Sequence, residues 1–343
     1  MKQPGFCGWD IGGAHLKVAR CDADGQLEQI LQLPCALWRG IEELHQALHQ
    51  AVSTLDCAAD IHAITMTGEL VDAFIDRQQG VAAILDSVVR ILPVGQCHVY
   101  AGNHGWLNPE SAKDSWQTVA SMNWLASASF AASQIDNGLF MDIGSTTCDI
   151  VPFTAHRVKP QGLTDHQRQR YGSLVYTGVI RTPLMALASE APFDGYKIPL
   201  TAEWFASTAD IWRLLDKLDE ESIQDNSADG QSWDKHHCRQ RLARMLAMDA
   251  GDATEQQWQL VAQWFAEKQL QLVSEACLQI LSACPSQDAP IIGAGVGRFA
   301  IEMVASRLRR PYLDFNTLCP SQPAASDHAP ATALALLAWQ QLS

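Results

Sequence analysis

Residues 139–151 decide the fold of this chain, and they read Leu139-Phe-Met-Asp-Ile-Gly-Ser-Thr-Thr-Cys-Asp-Ile-Val151. Residues 139–143 and 148–153 are mostly apolar strand formers, whereas residues 144–147 are small and polar. A short polar segment between two apolar runs is typical of a β-hairpin with a tight turn. The sequence therefore predicts two strands that are joined at residues 144–147.

The predicted turn has the composition of an anion-binding site. Gly144 allows the backbone to approach a ligand closely, and Ser145, Thr146 and Thr147 offer hydroxyl and main-chain N–H groups, as in a phosphate-binding nest. Asp142 would repel a bare phosphate, so its position at the strand end suggests that Mg²⁺ lies between the two. A plain hairpin with an Asx or Ser turn would have a similar sequence, and for this turn alone that alternative stays open.

The same pattern occurs near the start of the chain, where residues 6–19 read Phe6-Cys-Gly-Trp-Asp-Ile-Gly-Gly-Ala-His-Leu-Lys-Val-Ala19. An apolar strand again leads to an Asp-Ile-Gly turn, here with Asp10, Gly12 and Gly13, and the next strand carries Lys17. Two such hairpins far apart in one sequence indicate two homologous halves. We therefore expect Gly12 and Gly13 to bind phosphate, as we expect of the turn after Asp142.

A third glycine cluster is found in the stretch Ile291-Ile-Gly-Ala-Gly-Val-Gly297, between an apolar strand and a helical pattern. We expect Gly293, Gly295 and Gly297 to line a substrate or nucleotide site. A glycine-rich turn between a strand and a helix is weak evidence by itself, because it also arises by chance.

Glu69 follows a predicted buried strand, residues 61–66, in the stretch Met66-Thr-Gly-Glu-Leu-Val-Asp-Ala-Phe74. The ligand clefts of α/β sheets open at the carboxyl ends of the strands. Glu69 is therefore a candidate general base or metal partner. The structural alternative is a helix cap or a surface carboxylate.

One short segment combines an aromatic ring, a hydroxyl and a guanidinium, from Tyr176, Thr177 and Arg181. These groups suit a phosphate or carboxylate on an aromatic substrate, because a guanidinium binds such anions with paired hydrogen bonds. The alternative is a strand and turn with one structural salt bridge. Both interpretations remain open from the sequence.

Bulk composition excludes several classes of function. The chain has 343 residues, 47% of them hydrophobic, and a formal net charge of −14. Nucleic acids and anionic membranes are bound through excess Lys and Arg, so neither is an expected partner. No apolar stretch reaches the length of a membrane span, and Met1-Lys-Gln-Pro4 leads directly into the first strand without a signal peptide, which predicts a cytoplasmic protein. The oligomeric state stays open.

The ten cysteines are scattered, without a Cys-x-x-Cys pair. Several lie in apolar strands, so we interpret them as reduced core residues and not as a disulfide framework or a zinc site. His236-His237-Cys238 is the one local metal-like cluster. Adjacent helical residues point in different directions, so a metal role is the weaker interpretation there.

The order of predicted elements divides the chain into two halves. The first half runs three strands, helix, strand, helix, strand, helix, with the last helix at residues 115–133. The second half begins in the same way but carries an insertion, residues 159–286, before the strand at residues 290–293. We therefore predict domains at residues 1–136 and 137–343. Large insertions in a duplicated scaffold commonly hold the substrate-specific parts.

With these motifs in order, the chain resembles the superfamily of actin, sugar kinases and heat-shock ATPases. Within it, the chain is most similar to hydantoinase/oxoprolinase-like proteins that are linked to methanofuran biosynthesis and to tetrahydromethanopterin-dependent one-carbon metabolism. His15 and Leu16 depart from the Asn and Thr expected in archaeal members. The resemblance rests on the stretches Gly8-Trp-Asp-Ile-Gly-Gly-Ala14, Met66-Thr-Gly-Glu-Leu-Val-Asp-Ala-Phe74, Val119-Ala-Ser-Met-Asn-Trp124, Leu174-Val-Tyr-Thr-Gly-Val-Ile-Arg-Thr-Pro183 and Gly251-Asp-Ala-Thr-Glu255.

This resemblance implies an α/β fold of two duplicated ribonuclease-H-like domains, as in actin-like ATPases. The domains are expected to face a central cleft, with a largely helical insertion in the second. It also implies a metal-dependent transferase that condenses an aminomethylfuran diphosphate with γ-glutamyltyramine and releases pyrophosphate. In that function Asp10 and Asp142 would hold Mg²⁺, Lys17 would stabilise the leaving diphosphate, and Glu69 would act as the base.

Two other functions remain as alternatives. The glycine turn at residues 293–297 would suit adenosine, which favours an ATP-dependent small-molecule kinase or an oxoprolinase-like ATP-dependent amidohydrolase. A non-catalytic nucleotide-binding scaffold of the actin kind is disfavoured by the intact pair of Asp-Ile-Gly turns and by the large insertion. In each case the expected partner is a small diphosphate or a nucleotide.

Overall fold

A computed structural model describes residues 3–283, 288–319 and 322–343. The chain forms two units and passes between them more than once. The predicted domain boundary near residue 136 refers to the two repeated halves of the sequence, and it stays a prediction. Unit 1 comprises Met1–Phe140, Val151–Gln167 and Leu313–Ser343, and unit 2 comprises Met141–Ile150 and Arg168–Tyr312.

The first hairpin lies in a sheet of six strands. These strands are β1 (Phe6–Ile11), β2 (His15–Cys21), β3 (Leu27–Pro34), β4 (Ile61–Met66), β5 (Cys97–Tyr100) and β6 (Trp106–Leu107). Their order is β3-β2-β1-β4-β5-β6. Strand β1 runs antiparallel to β2 and parallel to β4, which places Asp10 between Lys17 and Thr65 in the sheet.

The second hairpin lies in another sheet of six strands. It consists of β7 (Gly138–Ile143) and β8 (Cys148–Thr154), and the chain continues through β9 (Arg157–Val158) and β10 (Leu174–Val175). A separate antiparallel ribbon follows, formed by β11 (Glu190–Phe193) and β12 (Tyr196–Pro199). The chain returns to the sheet with β13 (Ile291–Ala294) and β14 (Tyr312–Asp314).

The two sheets have the same strand order. The second sheet runs β10-β8-β7-β13-β14, with β9 paired beside β8. If β9 is set aside, each sheet places its third strand next to its second, then the first, the fourth and the fifth. Two copies of one unit give such a repeat. The predicted duplicated α/β fold class is thereby confirmed.

Ten helices are present in the described residues, and they pack on the sheets and build the insertion. The insertion is largely helical, as predicted. Gly8 lets β1 approach the last helix closely, because a Cβ there would lie 2.0 Å from the carbonyl oxygen of Ala331. The helices are α1 (Ile41–Leu55), α2 (Arg77–Ile91), α3 (Pro109–Asp114), α4 (Asn123–Gln134), α5 (Asp165–Tyr171), α6 (Thr208–Leu214), α7 (Lys235–Arg244), α8 (Glu255–Leu281), α9 (Arg298–Arg307) and α10 (Ala329–Leu342).

The helix that we predicted at residues 115–133 is wrong in its first part. The chain instead forms a short 3₁₀ turn at Trp116–Thr118, and α4 begins only at Asn123. Ser121 interrupts the helix because its backbone is left-handed, with φ of 54°. Its hydroxyl donates a hydrogen bond to Glu69 Oε1 at 2.7 Å. The break before α4 therefore coincides with the hydrogen bond between Ser121 and Glu69, which is far away in the sequence.

Among the described helices, none combines the length and the apolarity that crossing a bilayer requires. The cytoplasmic location stays a prediction.

Candidate functional site

One backbone hydrogen bond closes the first hairpin turn. Further backbone hydrogen bonds from the segments after β3 and β4 hold it in place. The N–H of Gly12 donates to the carbonyl oxygen of His15 at 3.0 Å. The carbonyl oxygen of Gly13 accepts the N–H of Leu37 at 3.0 Å, from the segment that follows β3. The end of β1 is held in the same way, because the N–H of Thr67 donates to its last residue at 3.0 Å.

The second hairpin turn repeats this pattern. The N–H of Gly144 donates to the carbonyl oxygen of Thr147 at 3.0 Å, which closes the turn. The segment that follows β10 supports it, since Val179 N–H donates to Gly144 at 3.0 Å and Arg181 N–H donates to Ser145 at 2.9 Å. The segment after β13 holds the end of β7 through a bond of 2.8 Å from Gly297 N–H to the carbonyl oxygen of Ile143.

These hydrogen bonds leave each turn with unused donors. Within the described part of the chain, the N–H groups of Gly13 and Ala14 in the first turn donate no backbone hydrogen bond, and neither do those of Ser145 and Thr146 in the second. N–H groups of a turn that form no hydrogen bond within the protein are available to an anion. Both turns are half-buried. Phosphate binding by the two turns stays a prediction, with which these donors agree.

Asp10 is the buried carboxylate of the first hairpin. It is 6% exposed, and its Oδ1 has no hydrogen-bond partner among the described residues. Burial raises the pKa of Asp10 above its ordinary value, and the neighbouring charge of Lys17 opposes that rise. A buried carboxylate with an unused oxygen is costly unless a cation compensates it. Asp10 is therefore suited to hold a metal ion.

His328 also lies near this hairpin, and the sequence patterns did not single it out. It directly precedes α10, and its Nδ1 is buried without a partner among the described residues. Burial, together with the charges of Lys17 and His15, lowers the pKa of His328 to about 3. His328 is therefore a neutral group that lies close to Lys17. Only the return of α10 to β1 brings it there.

Glu69 lies on a short 3₁₀ turn, Gly68–Leu70, behind the first hairpin. It is 1% exposed, and Oε2 has no partner among the described residues, whereas Oε1 accepts the Ser121 hydroxyl. Burial raises the pKa of Glu69 to about 7, although the Ser121 hydrogen bond acts in the opposite direction. A surface carboxylate, which was one alternative, is excluded by this burial. A group that titrates near neutral pH can accept or donate a proton in catalysis.

Asp142 is half-buried, and the third glycine cluster packs against it. A Cβ at Gly295 would lie 2.2 Å from Asp142 Oδ1, and its φ of +83° also favours glycine. A Cβ at Gly293 would meet the ring of Tyr312 at 2.5 Å, and one at Gly297 would meet Ile143 at 2.6 Å. These glycines have packing roles in unit 2. Their contact with a substrate or nucleotide stays a prediction.

The segment after β10 contacts the second turn through Gly178. A Cβ at Gly178 would lie 2.3 Å from the backbone of Ser145. Thr177 is fully buried and its Oγ1 accepts a hydrogen bond from Gln269 Nε2 at 2.9 Å, so its hydroxyl is occupied. Gly178 is thus a residue of the candidate site that the sequence analysis missed, although it lies between two residues that were named.

Arg181 and Tyr176 differ in their surroundings. The Nε–H of Arg181 donates to Asp225 Oδ1 at 3.0 Å, so the structural salt bridge that the sequence left open is present. Tyr176 is 54% exposed. A role of either residue, or of Thr177, in substrate binding stays a prediction.

The local histidine cluster does not form a metal site within the described residues. His237 Nδ1 lies 2.8 Å from Asp234 Oδ2, at the start of α7, and Cys238 is buried with its Sγ against the carbonyl oxygen of Trp233. The nine cysteines that the structure describes are buried thiols, and Cys284 lies outside the described residues. Another group of side chains, Cys7, Cys57 and His62 in unit 1, has ligand atoms close enough to one another to hold a metal.

Known proteins are similar in sequence to much of this chain. The hydantoinase/oxoprolinase family model matches residues 60–341. A protein of Methanocaldococcus jannaschii named (4-{4-[2-(gamma-L-glutamylamino)ethyl]phenoxymethyl}furan-2-yl)methanamine synthase is 33% identical over 291 residues, 84% of this chain and 85% of that protein. A protein of the same name from Methanococcus vannielii is 34% identical over 123 residues, 36% of this chain and 55% of that protein.

Among solved structures, a nucleotide-free acetone carboxylase superposes with a TM-score of 0.61 at 10% identity and covers 98% of this chain and 70% of that one. This likeness concerns the fold alone, and it agrees with the predicted α/β fold class. With a family match across residues 60–341 and a relative of 33% identity along most of both chains, this protein belongs to the hydantoinase/oxoprolinase family that its motifs predicted.

Proposed function

We propose that this protein condenses an aminomethylfuran diphosphate with γ-glutamyltyramine in a Mg²⁺-dependent reaction that releases pyrophosphate. The observation that carries the proposal is the 33% identity, over 84% of the chain, to a protein whose name describes the product. That name specifies a phenoxymethyl ether between a γ-glutamyl-aminoethyl phenol and a furan methanamine. The two hairpin turns add support, because their unused N–H groups would suit the oxygens of a diphosphate leaving group.

The reaction exchanges one carbon–oxygen bond for another. The bond between the furylmethyl carbon and the diphosphate oxygen breaks, and its electron pair leaves with pyrophosphate. A bond forms between the same carbon and the phenol oxygen of the acceptor, which loses its proton. The products are the aryl ether, pyrophosphate and one proton, and the reaction needs no further energy source because the diphosphate is already a good leaving group.

The turns are proposed to bind the diphosphate oxygens. Their unused backbone N–H groups are fixed before the reaction, so they stabilise the charge that develops on pyrophosphate without reorganising. In the first turn these donors are the N–H groups of Gly13 and Ala14, beside Gly12, and in the second they are those of Ser145 and Thr146, together with the hydroxyls of these two residues and of Thr147. Lys17 adds a positive charge near the first turn.

The residues present fit a magnesium ion. Mg²⁺ prefers carboxylate oxygens, and Asp10 offers a buried oxygen that has no hydrogen-bond partner in the described residues. Asp10 and Asp142 are the residues that we propose to hold it. When bound, the ion would neutralise the diphosphate and make it a better leaving group.

Glu69 is proposed to receive the phenol proton. Its pKa of about 7 leaves a large fraction ionised at neutral pH and still allows it to hold a proton. Oε2 is the atom available for this, because Oε1 is bonded to Ser121.

The test is an incubation of purified protein with the aminomethylfuran diphosphate, γ-glutamyltyramine and Mg²⁺, without ATP. We expect the aryl ether by mass spectrometry and one pyrophosphate per ether. Omission of the acceptor gives the background rate of diphosphate hydrolysis. Product that forms only when ATP is added, without release of pyrophosphate, would overturn the proposal.

An ATP-dependent kinase or amidohydrolase is the second candidate. It is favoured by the family description, hydantoinase/oxoprolinase, and by the glycine turn at Gly293 to Gly297. A kinase would release ADP, and an amidohydrolase of the oxoprolinase kind would release ADP and phosphate. The same incubation with ATP in place of the furan diphosphate separates the two candidates by their phosphorus products.

A further inference from the structure

Three buried side chains in unit 1 converge at the opposite end of β1 from the hairpin turn. Cys7, Cys57 and His62 each offer one ligand atom, and these atoms all lie within 4.8 Å of one another. In the described part of the chain this is the one group of three such side chains at that spacing. All three are fully buried, with no exposed surface.

Strands β1 and β4 and the end of α1 bring these three side chains together. Cys7 on β1 and His62 on β4 are direct neighbours in the parallel register, so their side chains lie on the same face. Cys57 follows α1, where Asp56 takes a left-handed conformation with φ of 47° and ends the helix. Three separate segments therefore contribute one ligand atom each, as in many structural metal sites.

His62 leaves part of its hydrogen-bonding capacity unused. Its Nδ1 accepts the indole N–H of Trp9 at 3.2 Å, whereas Nε2 is buried without any partner in the described residues. A fully buried polar atom without a partner is costly and calls for a specific cause, such as a bound ion. The unpartnered Nε2 and the short distances between the three ligand atoms therefore both point to a bound ion.

We propose that Cys7, Cys57 and His62 bind a Zn²⁺ ion that has a structural role in unit 1. Thiolate and imidazole are typical zinc ligands, and Mg²⁺ prefers oxygen, so this site is chemically distinct from the carboxylate site at Asp10. Binding replaces two thiol protons with one divalent ion, which leaves the buried group without net charge. With the ion on Nε2, the neutral imidazole carries its proton on Nδ1, so binding requires the Trp9 indole N–H to give up its hydrogen bond to that nitrogen.

A carboxylate lies next to this group. Asp60 Oδ2 lies 3.6 Å from Cys7 Sγ and also accepts Arg20 Nε–H at 2.6 Å. Asp60 is not one of the three side chains whose ligand atoms lie within 4.8 Å of one another, so the protein supplies three ligands and the fourth position of a tetrahedral zinc is left to a further donor. The ion would join β1, β4 and the turn after α1 at one point. It would thereby fix the strand that carries Asp10 without touching Asp10 itself.

The test measures metal content and stability, not turnover. Protein prepared under reducing conditions and freed of metal is given a small excess of Zn²⁺, desalted and analysed by elemental mass spectrometry. We expect about one zinc per chain in the wild type and in Cys97→Ala, and close to none in Cys57→Ala, because a structural site needs all its ligands. Cys97 is the matched control, since it is another buried thiol of unit 1 whose Sγ lies against Pro93.

Two further measurements use Cys57→Ser, and they test the site even if Cys57→Ala folds poorly. Co²⁺ in place of Zn²⁺ should give the thiolate charge-transfer absorption in the wild type and lose it in Cys57→Ser, which keeps the side-chain size. Zinc should raise the melting temperature of the wild type and of Cys97→Ala, but not of Cys57→Ser. Equal zinc retention by all variants, no retention by the wild type, or a Cys7–Cys57 disulfide in place of the metal would each overturn the proposal.

Discussion

The two hairpins have the same pattern of backbone hydrogen bonds, but different side chains surround them. In each, the glycine after Asp-Ile closes the turn at 3.0 Å, and segments after the third and fourth strands hold its carbonyl oxygens. The first hairpin carries a buried carboxylate, Asp10, with Lys17 beside it in the sheet. The second carries a half-buried carboxylate, Asp142, and a hydroxyl-rich turn, and the glycines after β13 pack against it.

The difference shows which features the shared backbone controls. Backbone hydrogen bonds from neighbouring segments hold both turns in the same way, so the arrangement of N–H donors belongs to the repeat itself, and the anion binding that we propose for it would do so too. Charge and proton chemistry do not repeat, because Glu69 lies behind the first hairpin while glycines occupy the corresponding segment behind the second. We therefore expect the first hairpin to contribute more to catalysis and the second to contribute more to binding.

Asp10→Asn should have the largest effect. We expect kcat to fall by roughly 10²–10³-fold, about 3–4 kcal/mol, because the variant keeps the shape of the side chain and removes the charge that would hold Mg²⁺. Pyrophosphate release measures it, with exposed Asp24→Asn as the control. Asp142→Asn should act in the same direction. Near wild-type activity of either site variant would remove that carboxylate from the mechanism.

Glu69→Gln should change how stability depends on pH. The pKa of Glu69 is raised from 4.5 to about 7, so the folded protein keeps this proton at pH values where the unfolded chain has lost it. Wild-type stability therefore falls relative to the variant as pH rises through this interval, and the variant should be more stable at pH 8 by about 3 kcal/mol.

Urea unfolding of both proteins at pH 4, 6 and 8 measures this difference. The control is Asp72→Asn, an exposed carboxylate three residues further along the chain. A difference between Glu69→Gln and the wild type that does not change with pH would show that Glu69 is not a buried titrating group.

Matched alanine substitutions separate the two turns. A Cβ at Gly12 would lie 2.9 Å from the carbonyl oxygen of His15, so Gly12→Ala should cost about 1–3 kcal/mol of stability. A Cβ at Gly144 meets no described protein atom within 4 Å, so Gly144→Ala should change stability by less than about 0.5 kcal/mol. Thermal unfolding checks both values.

Gly144→Ala should nevertheless weaken ligand binding, because the methyl group adds bulk in open space at the turn that we propose to bind the anion. We expect the Kd for pyrophosphate with Mg²⁺ to rise roughly tenfold, about 1.4 kcal/mol, by calorimetry. Unchanged pyrophosphate affinity would mean that the second turn does not bind the anion.

Lys17→Gln should have the smallest effect. Lys17 is half-buried and we propose that it adds charge beside the first turn without being one of the turn's own donors, so we expect a fall in kcat of roughly fivefold to tenfold, near 1 kcal/mol. Arg157→Gln, an exposed cation of unit 1, is the control. A loss as large as that of Asp10→Asn would place Lys17 in direct contact with the diphosphate.

The sequence by itself determined the elements whose signals are local. The strands predicted at residues 139–143 and 148–153 are found at Gly138–Ile143 and Cys148–Thr154, and the strand at Ile61–Met66 was predicted without error. Glycine turns between apolar runs are encoded within a few residues, so neighbouring side chains are enough to specify them. The repeated hairpin in turn predicted the duplicated fold.

Tertiary structure alone decided the environment of each functional group. The start of α4, the burial of Glu69 and the pairing of Arg181 with Asp225 depend on partners far away in the sequence. The cysteines were predicted to be core residues, and the register of β1 with β4 is what brings Cys7 to His62. A pKa, an unused oxygen or a set of metal ligands depends on which distant segments exclude water from a point in space, and local sequence does not specify that.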